Sequence, residues 1–334
     1  MHLCFSRFPR DGVLQNSLGQ YEAAFHEKRL ELDRKLNMLM DQGTSNFLYG
    51  SLQLFGSTST EQVNFARDIL DKIPPRTHDE SVRYFLNASQ FAERAKNEIE
   101  YYHQKYPDFK SRVYIREDVT GLVVSRGNLL IGDNIKIPIS RVEALLQHEV
   151  GTHVLTHHNG RFQPFKQLYT GLSNYDEIQE GLAVIAEYLV GGLTRPRLRL
   201  LAGQVIATHC LISGASFIET FRELDSKYGF NQYTAFSVTV RVYRSGGLTK
   251  DAVYLRSLTN ILKYIKDEAD FDILFIGKIS FSHIPLIKEL IHRQVLKRPP
   301  LLPRHLDNPQ SIERLKKLKN GMTVLDLIER RQRK

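Results

Sequence analysis

Ser140-Arg-Val-Glu-Ala-Leu-Leu-Gln-His-Glu-Val-Gly-Thr-His153 is the stretch on which the reading of this chain turns. Ser140 and Glu143 have the spacing of a capping box, in which hydroxyl and carboxylate satisfy free backbone donors at a helix start. Val142, Leu145, Leu146 and Val150 then recur at helical intervals. The pattern predicts a helix that carries His148, Glu149 and His153. Two imidazoles beside one acid suit a catalytic zinc site: the neutral rings bind a borderline metal, and the carboxylate handles a water proton. The spacing is unusual. At about 100° per residue, a second histidine four residues on returns to about 40° from the first, but five residues leave it about 140° away. On an ideal helix the two rings diverge. Either they do not share an ion or the turn is widened into a π-bulge, with hydrogen bonds from i to i+5. Gly151, inside the motif, tolerates the unusual dihedrals this needs. The bland alternative is a pair of surface histidines beside a solvated Glu, because so short a motif arises by chance. His153 and His157 have the four-residue spacing, with His158 next to them, but no Glu follows the first. That pair ranks second.

Working outward, Asp176-Glu-Ile-Gln-Glu-Gly-Leu-Ala183 opens a second helix. Gly181, Ala183 and Ala186 allow close approach to a neighbour, so the run faces inward. Glu180 at its start suits a third metal ligand. Glu187, seven residues on and about 20° away, lies on the same stripe and is a candidate ligand or a support for one. Asp176 and Glu177 read as acidic residues at a helix start, favourable against the macrodipole.

The rest of the chain supplies the frame. Helices are predicted over residues 20–42, from the capping box Thr58-Ser-Thr-Glu61 to before Pro74-Pro75, and from Ser81 to Tyr102. Four short strands follow at 111–116, 121–125, 128–131 and 135–137, with turns at Arg126-Gly-Asn128 and Gly132-Asp-Asn134. They predict a small, mostly antiparallel sheet before the histidine helix. Later helices are expected at Glu177–Leu189, Leu198–Lys227, Gln232–Tyr243, Lys250–Lys266 and His283–Lys297, and a last one near Thr323. Helices, sheet, helices make an α+β, mainly helical fold. It divides into an N-terminal helical region (1–110), a catalytic region (111–300) and a basic C-terminal tail with a short helix (301–334), expected to form one compact unit.

Composition narrows the function. The 334 residues are 42% hydrophobic and 25% charged, which excludes disorder as the dominant state. Cys4 and Cys210 are the two cysteines, too few for a disulfide framework or a four-cysteine zinc site. Any metal must therefore use His, Asp and Glu. The first ten residues lack the apolar run of a secretory signal. The most apolar stretch, Leu200–Ile218, carries Gln204, Thr208, His209, Ser213 and Ser216, and reads as a buried helix rather than a membrane span. His209 and Cys210 are read as core residues. No membrane association is expected, and the location is read as cytoplasmic. With 46 basic and 37 acidic residues the net charge is +9, which favours acidic partners. Nucleic acid is disfavoured by the absence of an aromatic RNA-binding signature or a zinc finger.

Three motifs in order, His148-Glu-Val-Gly-Thr-His153, Gln179-Glu-Gly-Leu-Ala183 and Arg241-Val-Tyr-Arg-Ser-Gly-Gly-Leu-Thr-Lys-Asp-Ala-Val-Tyr254, resemble the tyrosine carboxypeptidase family. Its animal members are microtubule-associated and remove the C-terminal tyrosine of α-tubulin; its bacterial branch is known for the Gln-Glu-Gly-Leu-Ala motif. The resemblance spans roughly residues 45–300. It implies a zinc metallopeptidase with ligands His148, His153 and Glu180, with Glu149 as the catalytic carboxylate and the five-residue spacing as a family feature. It also implies hydrolysis of the last peptide bond of substrates ending in Tyr or Phe. Because the second motif has the bacterial wording, tubulin itself is not carried over. The expected partner is a peptide or protein C-terminus. The third motif also has a physical reading. A carboxypeptidase needs a fixed cation for the substrate's α-carboxylate, best an arginine fork. Arg241, Arg244 and Lys250 are candidates, Tyr243 and Tyr254 are candidate oxyanion donors or pocket walls, and Ser245-Gly-Gly247 is a loop whose backbone can come close to a ligand. Two other readings use the same residues: a zinc aminopeptidase or amidase, and a regulatory binding protein with a vestigial site.

Overall fold

Local signals set most element boundaries in the computed structural model, which describes residues 12–75, 84–268 and 270–328. The chain opens with helices α1 (Gly12–Met40), α2 (Asn46–Phe55) and α3 (Thr60–Lys72). The cap of α3 is Ser59, whose hydroxyl accepts from the Gln62 amide, one residue after the Thr58 expected. The next predicted start, Ser81, lies outside the described residues. The observed helix α4 (Ala88–Lys105) follows strand β1 (Phe85–Leu86) and is opened by an Asn87–Gln90 capping box.

Strands β2 (Val113–Arg116), β3 (Leu122–Ser125), β4 (Asn128–Gly132) and β5 (Ile137–Pro138) lie where the sequence placed them, but their pairing differs. β4 is central, antiparallel to β3 and parallel to β2, and β5 pairs instead with β1. Arg126 (φ 50°) and Gly127 (φ 78°) make the tight turn that returns β4 beside β3. The gap between β3 and β2 then fits β4, whose Leu129 and Ile131 have no exposed surface. Proline at 138 limits β5 to an edge pairing.

Helices α5 (Val142–His148), α6 (Leu155–Phe162), α7 (Gln167–Thr170) and α8 (Asp176–Leu189) follow. The Ser140 capping box does not form: a 3-10 turn over Ile139–Arg141 leads into α5 instead. The expected helix over 198–227 is broken. α9 (Arg195–Ile212) ends at Gly214, φ 83°, and α10 (Phe217–Arg222) restarts from a Ser216–Glu219 capping box. α11 (Gln232–Tyr243), α12 (Val253–Asp267) and α13 (Ile284–His292) complete the core. In the basic tail, α14 (Pro309–Lys319) is a helix the sequence reading missed, and only a 3-10 turn forms at Val324–Leu327. None of the described helices is long and apolar enough to cross a membrane.

α8 is the axis of this arrangement. Every residue from Ile178 to Leu189 is buried, so it is enclosed on all sides rather than amphipathic. It packs on α5, α12 and α14. Full burial of each large aliphatic side chain, such as Leu182, Ile185 and Leu189, stabilises by about 1.5–3 kcal/mol. The contact with α12 depends on a missing side chain: a Cβ at Gly181 would lie 2.7 Å from the Ser257 carbonyl oxygen. Backbone cannot yield there cheaply. Gly181→Ala gains about 1 kcal/mol of helix propensity but overpacks at a cost of about 1–3 kcal/mol. Urea unfolding should therefore show a net loss of stability. A gain would mean that α8 and α12 can separate freely.

Candidate metal centre

Between α5 and α6 the backbone leaves α-helical geometry. Glu149–Val154 forms a π-helix, in which the Leu155 amide donates to the Val150 carbonyl five residues back. This is the widened turn that the five-residue spacing calls for. Its loosened carbonyls find side-chain partners: the Thr152 hydroxyl donates to the Gln147 carbonyl at 2.9 Å. At Gly151 a Cβ would sit 2.3 Å from the Gln147 side-chain oxygen. The glycine thus makes room for a buried amide, which donates to Glu98 at 3.0 Å and to Glu143 at 3.1 Å and faces the His305 ring at 3.0 Å. Removing the Cβ and adding a polar network behind the turn together fix its shape.

The wide turn brings His148 and His153 together, their ring centroids 5.2 Å apart. Glu180 reaches them from α8. One ligand atom from each of the three lies within 4.8 Å of the others, and among the described residues no other group of three or more His, Cys, Asp or Glu has this property. His157 belongs elsewhere. It packs beneath the β3–β4 turn, where a Cβ at Gly127 would come within 2.4 Å of its Nδ1, and beside Tyr169.

Each imidazole is held from behind. His148 Nδ1 is 3.0 Å from Glu187, and His153 Nδ1 is 3.3 Å from Gln179, whose side-chain oxygen also accepts from Thr156 at 2.7 Å. These bonds occupy both Nδ1 atoms and leave the Nε2 atoms free; His153 Nε2 lies 3.9 Å from the Glu180 carboxylate. Glu187 has no exposed surface and also pairs with Arg141 at 2.6 Å and Arg197 at 3.2 Å. Burial acts to raise its pKa, but Arg197, His148 and Arg141 outweigh it and hold the carboxyl well below its ordinary range. For His148, burial pulls down and the Glu187 hydrogen bond reverses the balance upward. His153, without an acid behind it, is pushed down to about 3 by burial and then by the charges of His148, Lys278 and Lys250. Burial raises the carboxyls of both Glu149 and Glu180.

The third motif is only partly assembled here. Arg241 forks onto Asp251 at 2.7 and 2.8 Å, and Lys250 pairs with Asp176 at 3.0 Å. The Asp251 hydrogen bonds chiefly raise the pKa of Arg241; for Lys250 burial pulls down but Asp176 and then Glu180 outweigh it; and Glu180 together with burial raises that of half-buried Tyr254. Tyr243 lies elsewhere: its hydroxyl binds the Ala215 carbonyl at 2.5 Å and Thr220 at 2.7 Å, at the break between α9 and α10. Arg244 faces solvent. The Ser245-Gly-Gly247 loop does approach backbone closely, but that backbone is the α1–α2 turn: a Cβ at Gly246 would lie 2.3 Å from the Thr44 carbonyl oxygen. A groove of about 2340 Å³ opens onto His148 and Glu149 and is lined by Arg141, Arg195, Arg197 and Tyr233.

The family model for microtubule-associated tyrosine carboxypeptidase matches residues 5–323. The chain belongs to that family. Similar curated proteins include "Putative tyrosine carboxypeptidase MATCAP2" of Homo sapiens, 28% identical over 57% of this chain and 36% of its own length. The Mus musculus protein of the same name is 27% identical over 56% of this chain and 37% of its own length. "Microtubule-associated tyrosine carboxypeptidase 1" of Mus musculus is 28% identical over 44% of this chain and 33% of its own length. The chain thus aligns with about a third of the length of each of these curated relatives. A solved structure described as "a putative lipoprotein of unknown function from Shewanella oneidensis" overlays at a TM-score of 0.40 and 14% identity, covering 80% of this chain and 56% of its own.

Two residues that shape this candidate site were missed in the sequence. Arg141 and Arg197 clamp Glu187, and Arg197 carried a readable signal. It lies in the first turn of α9, where a cation opposes the helix dipole and so needs an acid nearby. Removing Glu187 strands these two arginines. Glu187→Leu should cost about 3–5 kcal/mol at neutral pH, the range for breaking a buried ion pair. Because the folded pKa is depressed, the contribution is complete above the ordinary carboxyl range and is lost as pH falls toward the folded value. Stability of the variant, followed by chemical denaturation, should therefore fall less steeply below about pH 4 than that of the parent. Parallel curves would place the charge of Glu187 outside the stability balance.

Proposed function

We propose that the chain is a zinc-dependent carboxypeptidase that hydrolyses the last peptide bond of substrates ending in Tyr or Phe. The observation that carries this reading is the convergence of His148, His153 and Glu180 with Glu149 beside them. The donor set fits a borderline dication: both Nδ1 atoms are engaged by Glu187 and Gln179, which presents two Nε2 lone pairs and one carboxylate. Bound there, zinc supplies Lewis acidity at the scissile carbonyl.

This chain's own residues do the rest. Glu149 follows a ligand directly and is buried, with its carboxyl pushed up by that burial, so it is suited to take a proton from the attacking water and deliver it to the leaving amine. Tyr254 keeps its proton, because Glu180 and burial hold its pKa high, and its hydroxyl can donate to a developing oxyanion. Arg241 is pre-oriented by Asp251 beside them. The groove leading to Glu149 carries the rest of the peptide, and its arginines favour an acidic substrate chain.

Protein purified without added metal should hold about one zinc per chain. His153→Ala should lose it, whereas His157→Ala, under the β-turn, should keep it; the reverse would assign the other histidine pair. Glu149→Gln should keep the metal and lose about 10²–10⁴-fold in turnover. Full activity in that variant would reject Glu149 as the base. A peptide ending in free Tyr should be cut at least about tenfold faster than its C-terminal amide, the discrimination expected from about 1.4 kcal/mol of transition-state binding.

A further inference from the structure

The charges around the triad fall into two groups. His148 faces Glu149, Glu187 and Arg197, while the cations acting on His153 are Lys278 and Lys250. The second group gathers where α8 begins. Lys28 and Lys278 both lie over the ring of Tyr175, at 5.4 and 5.3 Å from its centroid, directly before α8. Lys250 joins them through Asp176. Two of these three cations are matched by acids. Lys28 pairs with Glu31 at 2.8 Å and Lys250 with Asp176 at 3.0 Å. Glu31 is further committed to Lys35 and to the Asn174 amide. Lys278 has no carboxylate within ion-pair distance among the described residues, and its ammonium rests over the Tyr175 ring.

Its position is not accidental. The Lys278 amide donates to the Leu168 carbonyl at 2.7 Å, and its carbonyl accepts from Leu172 at 2.9 Å. Gly277 before it allows this approach, since a Cβ there would lie 2.5 Å from the Leu168 carbonyl oxygen. With both backbone groups fixed and buried residues on either side, the half-buried side chain has little freedom beyond its own rotamers. A partly desolvated ammonium with like charges nearby and no carboxylate in direct contact, the acids it feels being Asp176, which is paired with Lys250, and Glu180 of the triad, is stabilised when a further anion arrives. Burial lowers its pKa most; the charges of Asp176 and Glu180 oppose this, and those of Lys28 and Lys250 add to it, so that the balance is downward. Arg241 and Lys250 differ: a substrate carboxylate would have to compete with Asp251 or Asp176 for them. At Lys278 it would displace nothing.

Building on the carboxypeptidase reading, we propose that Lys278 is the cation that reads the free α-carboxylate of the substrate's last residue, on the His153–Glu180 side of the metal centre. It is a specificity residue, and the peptide bond is hydrolysed without it.

The test is a matched pair of peptides ending in Tyr, one a free acid and one an amide, given to the zinc-loaded parent chain and to Lys278→Met and Lys278→Arg. Binding of N-acetyl-tyrosine to each protein, measured by calorimetry, supplies a readout without turnover. For Lys278→Met we expect the acid-over-amide ratio to fall about tenfold or more, through slower cleavage of the acid, the loss expected of a charge-assisted hydrogen bond. N-acetyl-tyrosine should bind correspondingly more weakly, and Lys278→Arg should recover part of both. The melting temperature of Lys278→Met should hold or rise, because an unmatched charge has been removed. If the parent prefers the acid and Lys278→Met keeps that preference and affinity, Lys278 is not the reader and the carboxypeptidase reading stands. If the parent shows no acid preference, or cuts neither peptide, the carboxypeptidase reading itself fails and this assignment with it.

Discussion

Two imidazoles five residues apart share one point in space only if the helix between them is widened, and that constraint organises the molecule. The π-helix over Glu149–Val154 meets it. Such a turn loses regular hydrogen bonds, so it persists only where the surroundings favour it over the α-helix on either side. Here Gly151 removes a Cβ, Gln147 fills the space with a buried amide, and Thr152 caps the Gln147 carbonyl. The outer face of the turn carries the histidines, and the inner face is tied to Glu98, Glu143 and His305. Fold and site are therefore built from the same few residues.

α8 meets the turn from the other side and brings both glutamates of one helical stripe. Glu180 completes the group of three, and Glu187, two turns on, orients His148. The close fit of Gly181 against α12 sets how deeply α8 sits, and so where Glu180 ends up. Packing, electrostatics and site geometry are coupled along one element. Arg141 and Arg197 let Glu187 remain charged with no exposed surface, which in turn fixes the tautomer and direction of the ring.

The convergence of His148, His153 and Glu180 was legible because it follows from two periodicities and one misfit. A spacing of five on a predicted helix demands a widened turn, and a Gly-Leu-Ala run marks an inward face. Residues whose position depends on contacts distant in sequence were less legible. Tyr243 and Arg241 sit two residues apart on α11, yet the first is drawn to the Ala215 carbonyl and the second to Asp251. The glycines at 246 and 247 do mark a close backbone approach, but sequence does not say to what, and the neighbour is Thr44. The sequence offered strands and a mostly antiparallel sheet but no strand order: local turns predict strands, whereas the parallel β2–β4 pair depends on how the chain crosses between them. Lys278 carried no local signal. It stands out only once Glu31 and Asp176 are seen to be paired with other lysines.

The central claim is that the π-turn makes His148 and His153 ligands of one zinc ion together with Glu180. A crystal structure of the zinc-loaded chain, with anomalous difference maps across the zinc absorption edge, tests it most directly. The account predicts one zinc peak about 2.0–2.2 Å from both Nε2 atoms and from a Glu180 oxygen, with the turn still π-helical. A peak on His153 and His157, or zinc bound elsewhere while these three residues hold none, would contradict it.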